Sequence, residues 1–326
     1  MRPLPIALTL ALAGAVAAPA SAQMLPVRDQ NPLTRPAYLP LPAALEAAAD
    51  GRWGFAAGVQ WSNTVNLGDT PPEQMVVDEE TVEADLSLSR GVGDWQLRAT
   101  LPVINRGAGV LDSFIDDWHR FFHLPRGDRA NRPKNVYEVS YQRAGLAAVD
   151  APSGTALGDL ALEAGRPLAA AADGRLEGWL GVELPTGSRA HFTGNGALDA
   201  AAWLAGETRL SRVWTLAGRA GLSYLGGDAA AGQPYQRGLG FATLAFAWSA
   251  SERLAALLQF DYHSPIARDS DLKFLGRAVQ MTIGGRYRLE SGAVFEAGVV
   301  EDVEVNHSPD ITFHFGMRWP AGRPGP

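Results

Sequence analysis

The chain has no cysteine among its 326 residues. This absence excludes disulfides, thiolate catalysis and cysteine-based metal sites. After residue 22 the sequence also lacks long hydrophobic runs, because polar residues such as Arg219, Glu252 and Gln259 interrupt the most apolar stretches. No helix of the roughly 18 residues needed to span a bilayer is therefore predicted. Basic residues are outnumbered, and the formal net charge of −7 argues against general binding to nucleic acid.

The first 22 residues have the pattern of a cleavable export signal. Arg2 precedes an apolar run from Pro5 to Ala18, and Ala20-Ser21-Ala22 has the small-residue form that signal peptidase cuts. We therefore expect the mature chain to begin at Gln23.

Residues 23–52 contain the motif Asn31-Pro32-Leu33 and several further prolines. We expect them to form an extended N-terminal lead, either periplasmic or tucked into a lumen. Residues 320–326 are expected to form a C-terminal tail.

From about residue 53 apolar side chains occupy every second position in successive segments, which are separated by turns rich in Gly, Asp, Ser or Pro. This is the period of β-strands with two different faces. Examples are Trp53, Phe55, Ala57, Val59 and Trp61, and later Leu254, Ala256, Leu258, Phe260 and Tyr262. Short turns such as Gly91–Asp94 and Ala250–Arg253 predict antiparallel neighbours.

The alternate positions of these strands carry charge, including Glu83, Asp85, Arg98, Arg219, Arg286 and Arg288. A soluble sandwich would expose them to water, whereas a membrane barrel would turn them into its lumen. The separation of Trp53 from Trp61 favours the barrel. It spans about 26 Å of strand, or about 20 Å after tilting, which places one Trp near each membrane interface.

These features predict an all-β fold, a transmembrane antiparallel up-and-down β-barrel over residues 53–319. Bacterial single-chain barrels have even strand numbers, with short periplasmic turns and long extracellular loops. With Tyr137–Tyr141 and Leu146–Val149 included as wall strands, the count is about 14. Twelve strands is the alternative. We expect both termini to be periplasmic.

Residues 103–134 form a long loop, expected to be extracellular, with a short amphipathic helix in its middle. The candidate apolar face comprises Phe114, Ile115, Trp118 and Phe122. Two roles remain open for this helix. It closes the pore as a lid or plug, or it packs on the barrel rim.

The same loop contains two further candidate sites. Asp116, His119 and His123 have a spacing that permits a metal site, although hydrogen bonding between imidazole and carboxylate groups is the simpler interpretation and no metal or other cofactor is expected. Arg126, Arg129, Arg132 and Lys134 form a basic cluster that would contact lipopolysaccharide phosphates. Its alternative is pairing with an acidic barrel rim.

A catalytic serine needs a base within hydrogen-bond reach and a third group that orients the base. Only His263-Ser264, with Asp261 nearby, and His307-Ser308 bring these residue types together. Adjacent strand residues point to opposite faces, so the sequence predicts no enzyme, and an outer-membrane lipid hydrolase remains a minor alternative.

The sequence resembles the DUF3187 family of uncharacterised proteobacterial exported proteins. The resemblance lies in Asn31-Pro32-Leu33, in the segment Leu111-Asp112-Ser113-Phe114-Ile115-Asp116-Asp117-Trp118-His119, and in Leu124-Pro125-Arg126-Gly127 with Arg129. The shorter Leu184-Pro185-Thr186-Gly187 is similar to phenol-degradation and long-chain fatty-acid transporters of the outer membrane. This family assignment implies a barrel and brings no established substrate.

Two functions are compatible with these patterns. The favoured one is a passive channel or transporter for small molecules, hydrophobic ones among them, in the outer membrane of a Gram-negative bacterium. The other is a structural or surface-interaction barrel with a filled lumen. Expected partners are outer-membrane lipid, lipopolysaccharide and the barrel-assembly machinery.

The export signal and the alternating strands predict that the mature protein fractionates with outer membranes. Because folded barrels resist detergent, we expect heat-modifiable migration on detergent gels. Recovery in the soluble periplasmic fraction would contradict the barrel interpretation.

Overall fold

The computed structural model describes residues 24–42, 50–123, 127–228, 234–304 and 306–319. The predicted signal peptide and C-terminal tail lie outside these residues. None of the described helices is long and apolar enough to cross a membrane.

Fifteen strands and one α-helix make up most of the described chain. The strands are β1 (Trp53–Thr70), β2 (Glu73–Val92), β3 (Trp95–Gly107), β4 (Glu138–Arg143), β5 (Val149–Asp150), β6 (Gly154–Leu157), β7 (Leu160–Ala171), β8 (Gly174–Leu184), β9 (Asp199–Arg209), β10 (Trp214–Tyr224), β11 (Gly238–Ser249), β12 (Leu254–His263), β13 (Ala278–Arg288), β14 (Val294–Asp302) and β15 (Ile311–Trp319). The helix α1 is Asp112–Phe122, and short 3-10 helices lie at Gly127–Asn131 and Lys273–Leu275.

Twelve of these strands form a closed antiparallel barrel. Around the wall the order is β1, β2, β3 and then β7 to β15, and the circle closes where Phe55–Asn63 of β1 pairs with Trp319–Ile311 of β15. Within the described residues, the connections between neighbouring wall strands are short at the end that carries Trp53 and Trp319, and most are long at the other end.

The expectation of 14 strands is wrong, and the alternative of 12 is right. β1 and β2 form a hairpin of 18 and 20 residues, about twice the length that a barrel strand needs to cross a bilayer. The segment expected as a wall strand near Tyr137–Tyr141 is β4, which pairs with Glu73–Asp78 in the projecting half of β2. Leu146–Val149 is no wall strand either, since only Val149 belongs to the two-residue β5, which pairs with β4.

The two faces of the wall have opposite character. Outward side chains are apolar and exposed, as with Leu180 and Ile283, each 60% exposed, and Leu222, 69% exposed. Inward positions hold buried charges, among them Glu83 and Glu296. Trp53, Trp95, Trp214, Trp248 and Trp319 are exposed around the short-turn end, in the arrangement of an interfacial aromatic girdle.

This distribution predicts a large difference between two substitutions to arginine. Ile283→Arg, in the middle of β13, should lower the free energy of unfolding in lipid vesicles by about 2–4 kcal/mol, because it places a cation in hydrocarbon. Val303→Arg, at a similarly exposed loop position, should change it by less than about 0.5 kcal/mol. Urea titration of the folded fraction measures both values. Equal effects would indicate water on both sides of the sheet.

Candidate functional site

Residues 24–42 lie inside the barrel, and we call them the plug segment. Leu25 contacts Gln259 of β12, Arg35 contacts Glu83 of β2, and Tyr38 contacts Glu163 of β7. These strands lie in different parts of the closed wall, so a chain that reaches all of them runs through the lumen. Of the two placements expected for the N-terminal lead, the described part has the one in the lumen.

The plug segment turns at the end of the barrel that carries the long loops, where the side-chain amide of Asn31 donates to the carbonyl of Phe274 between β12 and β13. Asn31 Oδ1 accepts a hydrogen bond from the backbone N–H of Leu33, and Asp29 Oδ1 accepts one from the N–H of Asn31. Such contacts from Asn and Asp side chains to nearby backbone favour tight turns. The N–H of Arg35 then donates to the carbonyl of Asn31. The Asn31-Pro32-Leu33 motif therefore forms the tip of the segment.

Buried ion pairs hold the plug segment to β2. The guanidinium of Arg35 donates two hydrogen bonds to the carboxylate of Glu83, at 2.7 and 3.1 Å. Arg28 lies 3.1 Å from Asp85 and 3.3 Å from Glu83. Since a buried carboxylate is costly without a partner, these contacts explain why β2 tolerates two adjacent inward acids.

Two residues of β12 bind the other side of the plug segment. The side-chain amide of Gln259 accepts from the N–H of Leu25 at 2.8 Å and donates to its carbonyl at 3.1 Å. His263 Nε2 lies 3.1 Å from a carboxylate oxygen of Asp29. Side chains of the wall thus satisfy backbone and charged groups that burial would otherwise leave unpaired.

An aromatic patch covers part of the inner wall. The rings of Trp179 and Trp203 stack with centroids 5.8 Å apart, and Phe241 meets Trp203 edge-on at 6.3 Å. Tyr38 of the plug segment packs on this patch. Gly181 makes the approach possible, because a Cβ there would lie 2.2 Å from the Tyr38 hydroxyl.

The predicted lumen residues lie where the alternation places them. Arg98 pairs with Glu163 and lies over the Trp179 ring, while Arg219 donates to Thr243 and lies over Phe241. Arg286 is buried beside Glu296, and Arg288 is half-buried at the end of β13. The inner wall is therefore a network of paired charges around an aromatic patch. A narrow gap lined by Arg28, Tyr38, Thr100 and Glu183 lies between the plug segment and this part of the wall.

Helix α1 lies against the outer wall, which is not the position that the lid prediction requires. Ile115 is fully buried and clusters with Ile311, and the outward-facing Trp61, Val299 and Phe313 pack around them together with Trp118. The Phe114 ring lies 5.9 Å from that of Phe313 and is 47% exposed. The side chain of Phe122 lies outside the described part. Of the two roles left open, the placement corresponds to packing on the barrel.

The basic cluster pairs with carboxylates of the same chain. Arg129 is buried between Asp112, at 2.7 Å, and Asp310, at 2.6 Å. Arg132 binds Asp78 and Glu138, and Lys134 binds Asp116. Arg126 lies outside the described residues. Arg129 and Arg132 thus pair with acidic groups outside the helix, Asp310 and Asp78, while Lys134 pairs within the loop; contact of this cluster with lipopolysaccharide stays a prediction.

The candidate metal and catalytic groups have other contacts. Asp116 binds Lys134, and among the described residues no three His, Asp or Glu side chains are grouped as metal ligands. Asp261 accepts from Thr243 and Gln259, while His263 faces Asp29. In the other candidate pair, His307-Ser308, the Nδ1 atom of His307 lies 2.8 Å from the carbonyl oxygen of Arg277.

Sequence reasoning missed the groups that hold the plug segment, chiefly Arg28, Arg35, Tyr38 and Gln259. One signal was available, since Arg28 and Arg35 flank the Asn31 motif in a proline-rich stretch. Trp179 and Trp203 occupy the inward register of their strands, where most other large side chains are charged. This departure from the alternation was a second signal, and it indicates aromatic residues inside the lumen.

The Arg35–Glu83 ion pair should stabilise the plug segment inside the lumen. Breaking one partner of a buried pair costs about 3–5 kcal/mol, so Arg35→Ala should release the segment. A single cysteine at Ala37, which is 4% exposed, should react with an impermeant maleimide at least about tenfold faster in that background. Arg253→Ala, which removes an exposed pair with Glu290, is the control and should leave the rate unchanged. Equal rates in folded Arg35→Ala protein would show that this pair does not seat the segment.

Comparison with solved structures identifies similar barrels. An outer-membrane channel of Pseudomonas putida F1 is 12% identical, with a TM-score of 0.54 over 84% of this chain and 97% of that one. The NanC porin is 8% identical, with a TM-score of 0.45 over 83% of this chain and 100% of its own. The P. putida toluene transporter TodX is 10% identical, with a TM-score of 0.39 over 83% and 89%. At 12% identity, the similarity to the P. putida F1 channel shows the fold alone. The structural similarity to NanC and to TodX is weaker, with TM-scores of 0.45 and 0.39.

No curated protein matches the sequence. The family model described as "Protein of unknown function (DUF3187)" matches residues 2–320, so the chain belongs to the DUF3187 family.

Proposed function

We propose that the protein is an outer-membrane channel for small molecules whose own plug segment closes the lumen. One observation carries this proposal. No wall strand has a backbone ladder with the described residues 24–42, which are held by side-chain hydrogen bonds, ion pairs and apolar contacts. The segment can therefore leave without breaking the hydrogen bonds that close the wall.

The location in the outer membrane rests on the wall itself. Its exposed apolar belt and Trp girdle suit hydrocarbon and interface, and its inward charges suit a lumen. By the loop pattern of such barrels, Trp53 and Trp319 lie on the periplasmic side and the long loops on the cell surface. The assembly machinery for outer-membrane barrels is the partner that this location requires.

The inner wall supports small solutes that include hydrophobic ones. Withdrawal of Tyr38 would uncover the Trp179, Trp203 and Phe241 rings, which offer an apolar surface inside an otherwise charged lumen. Planar aromatic or aliphatic molecules gain from contact with such rings.

A structural barrel with a permanently filled lumen is the second candidate. The burial of the plug segment favours it, because Leu25 and Asn31 have no exposed surface and the segment packs as tightly as a core. The two candidates differ in whether the intact protein ever opens.

Single-channel recording in planar bilayers separates them. In one variant a Gly-Ser sequence of equal length replaces residues 25–41, and this variant should conduct steadily. The intact protein should stay closed with rare openings, and Arg35→Ala should raise the open fraction at least about tenfold, since 1.4 kcal/mol corresponds to a factor of ten. Arg253→Ala is the matched control and should behave as the intact protein.

Solute flux completes this test. Proteoliposomes should take up a small aromatic probe faster with Arg35→Ala than with the intact protein. If the intact protein and Arg35→Ala both show no openings and no uptake while the Gly-Ser variant conducts, the channel proposal fails and the filled structural barrel stands.

A further inference from the structure

Helix α1 lies on the outer surface of the barrel, at the edge of the apolar belt that is nearer to the long loops. Phe114 contacts Phe313, which pairs in register with Trp61. Trp61 is eight positions along β1 from Trp53 of the short-turn girdle, or about 20 Å of barrel height after strand tilt. The helix therefore lies at the level of the second membrane interface.

The underside of the helix is fixed to the wall by polar contacts. Glu80 of β2 accepts hydrogen bonds from the backbone N–H groups of Val110 and Leu111, both at 2.8 Å, so a carboxylate satisfies donors at the start of the helix. Asp112 in the first turn accepts from Asn63 and pairs with Arg129.

Arg129 in turn pairs with Asp310 in the loop before β15. Burial raises the pKa of the Asp310 carboxyl above its ordinary range, and the guanidinium of Arg129 opposes that shift. These hydrogen bonds and ion pairs determine which side of the helix points away from the barrel.

The side that points away is amphipathic in its own right. Phe121 is 75% exposed and Phe114 47%, and Val110, two residues before the helix, is 71% exposed. Beside them Asp117 and Arg120 form an exposed ion pair at 3.1 Å. Large aromatics at this exposure are unfavourable in water, whereas the boundary between acyl chains and headgroups accommodates both kinds of group.

We propose that α1 is an interfacial helix whose exposed aromatic side chains insert into the outer-leaflet lipid around the barrel. Two observations select lipid as the occupant. The exposed apolar residues continue the outward belt formed by Trp61, Val299 and Phe313. The helix also runs along the outer wall, with its start held by Glu80 of β2 and Phe114 against Phe313 of β15. The inference rests on the proposed membrane location, and it assigns to helix α1 a role in lipid contact.

The absence of cysteine makes the test direct. Single cysteines at Phe121, Arg120, Leu222 and Glu290 are labelled with an environment-sensitive fluorophore. The proteins are reconstituted in phosphatidylcholine vesicles that contain 5-doxyl or 12-doxyl phosphatidylcholine. Leu222 marks the wall, Glu290 marks an exposed short turn, and Arg120 is the matched neighbour on the polar side of the helix. Heat-modifiable migration verifies folding of each variant.

The label at Phe121→Cys should be quenched by 5-doxyl lipid at least half as strongly as the label at Leu222→Cys, and more strongly than by 12-doxyl lipid. The labels at Arg120→Cys and Glu290→Cys should instead respond to aqueous iodide. The inference is overturned if the Phe121→Cys label is as accessible to iodide as the Glu290→Cys label while the Leu222→Cys label is quenched by lipid. If the Leu222→Cys label also escapes lipid quenching, the membrane barrel itself is wrong.

Discussion

The pairing of β1 with β15 is the constraint on which the rest of the structure depends. By joining the first and last wall strands, it removes the two sheet edges whose backbone groups would otherwise be unpaired. Closure also gives every strand one face inside and one outside. The apolar residues then have a single common direction outward, and the charged residues must share an enclosed space.

That enclosed space explains the contents of the lumen. Acids and bases that face one another across a barrel cannot all be hydrated once the interior is filled, so they must pair. Arg28 and Arg35 of the plug segment supply the cations that Glu83 and Asp85 need. The plug segment is thus both the obstruction in the lumen and part of its charge balance. The hydrogen bonds that hold it to the wall each involve at least one side chain and form no backbone ladder, which is the property on which the proposed opening depends.

The hairpin of β1 and β2 organises the region beyond the wall. Its projecting half gives β4 a strand to pair with, and Asn63 and Glu80, near the level where the projection begins, hold helix α1. Arg129, Arg132 and Lys134 form ion pairs within this region of the chain. The loop that carries helix α1 is therefore attached to the exterior of the barrel.

The sequence by itself determined the alternation of faces, the short turns, the barrel class and the inward charges, because a period of two depends only on local backbone geometry. It also predicted family membership, through the segment from Leu111 to His119. Only the tertiary structure decided the strand number, since β4 alternates like a wall strand and is excluded solely by what it pairs with. The same holds for helix α1, whose amphipathic pattern is compatible with the lumen mouth and with the outer wall. The place of residues 24–42 was likewise decided by partners hundreds of positions away, Gln259 and His263, and contacts at such separation leave no periodic signal in the chain.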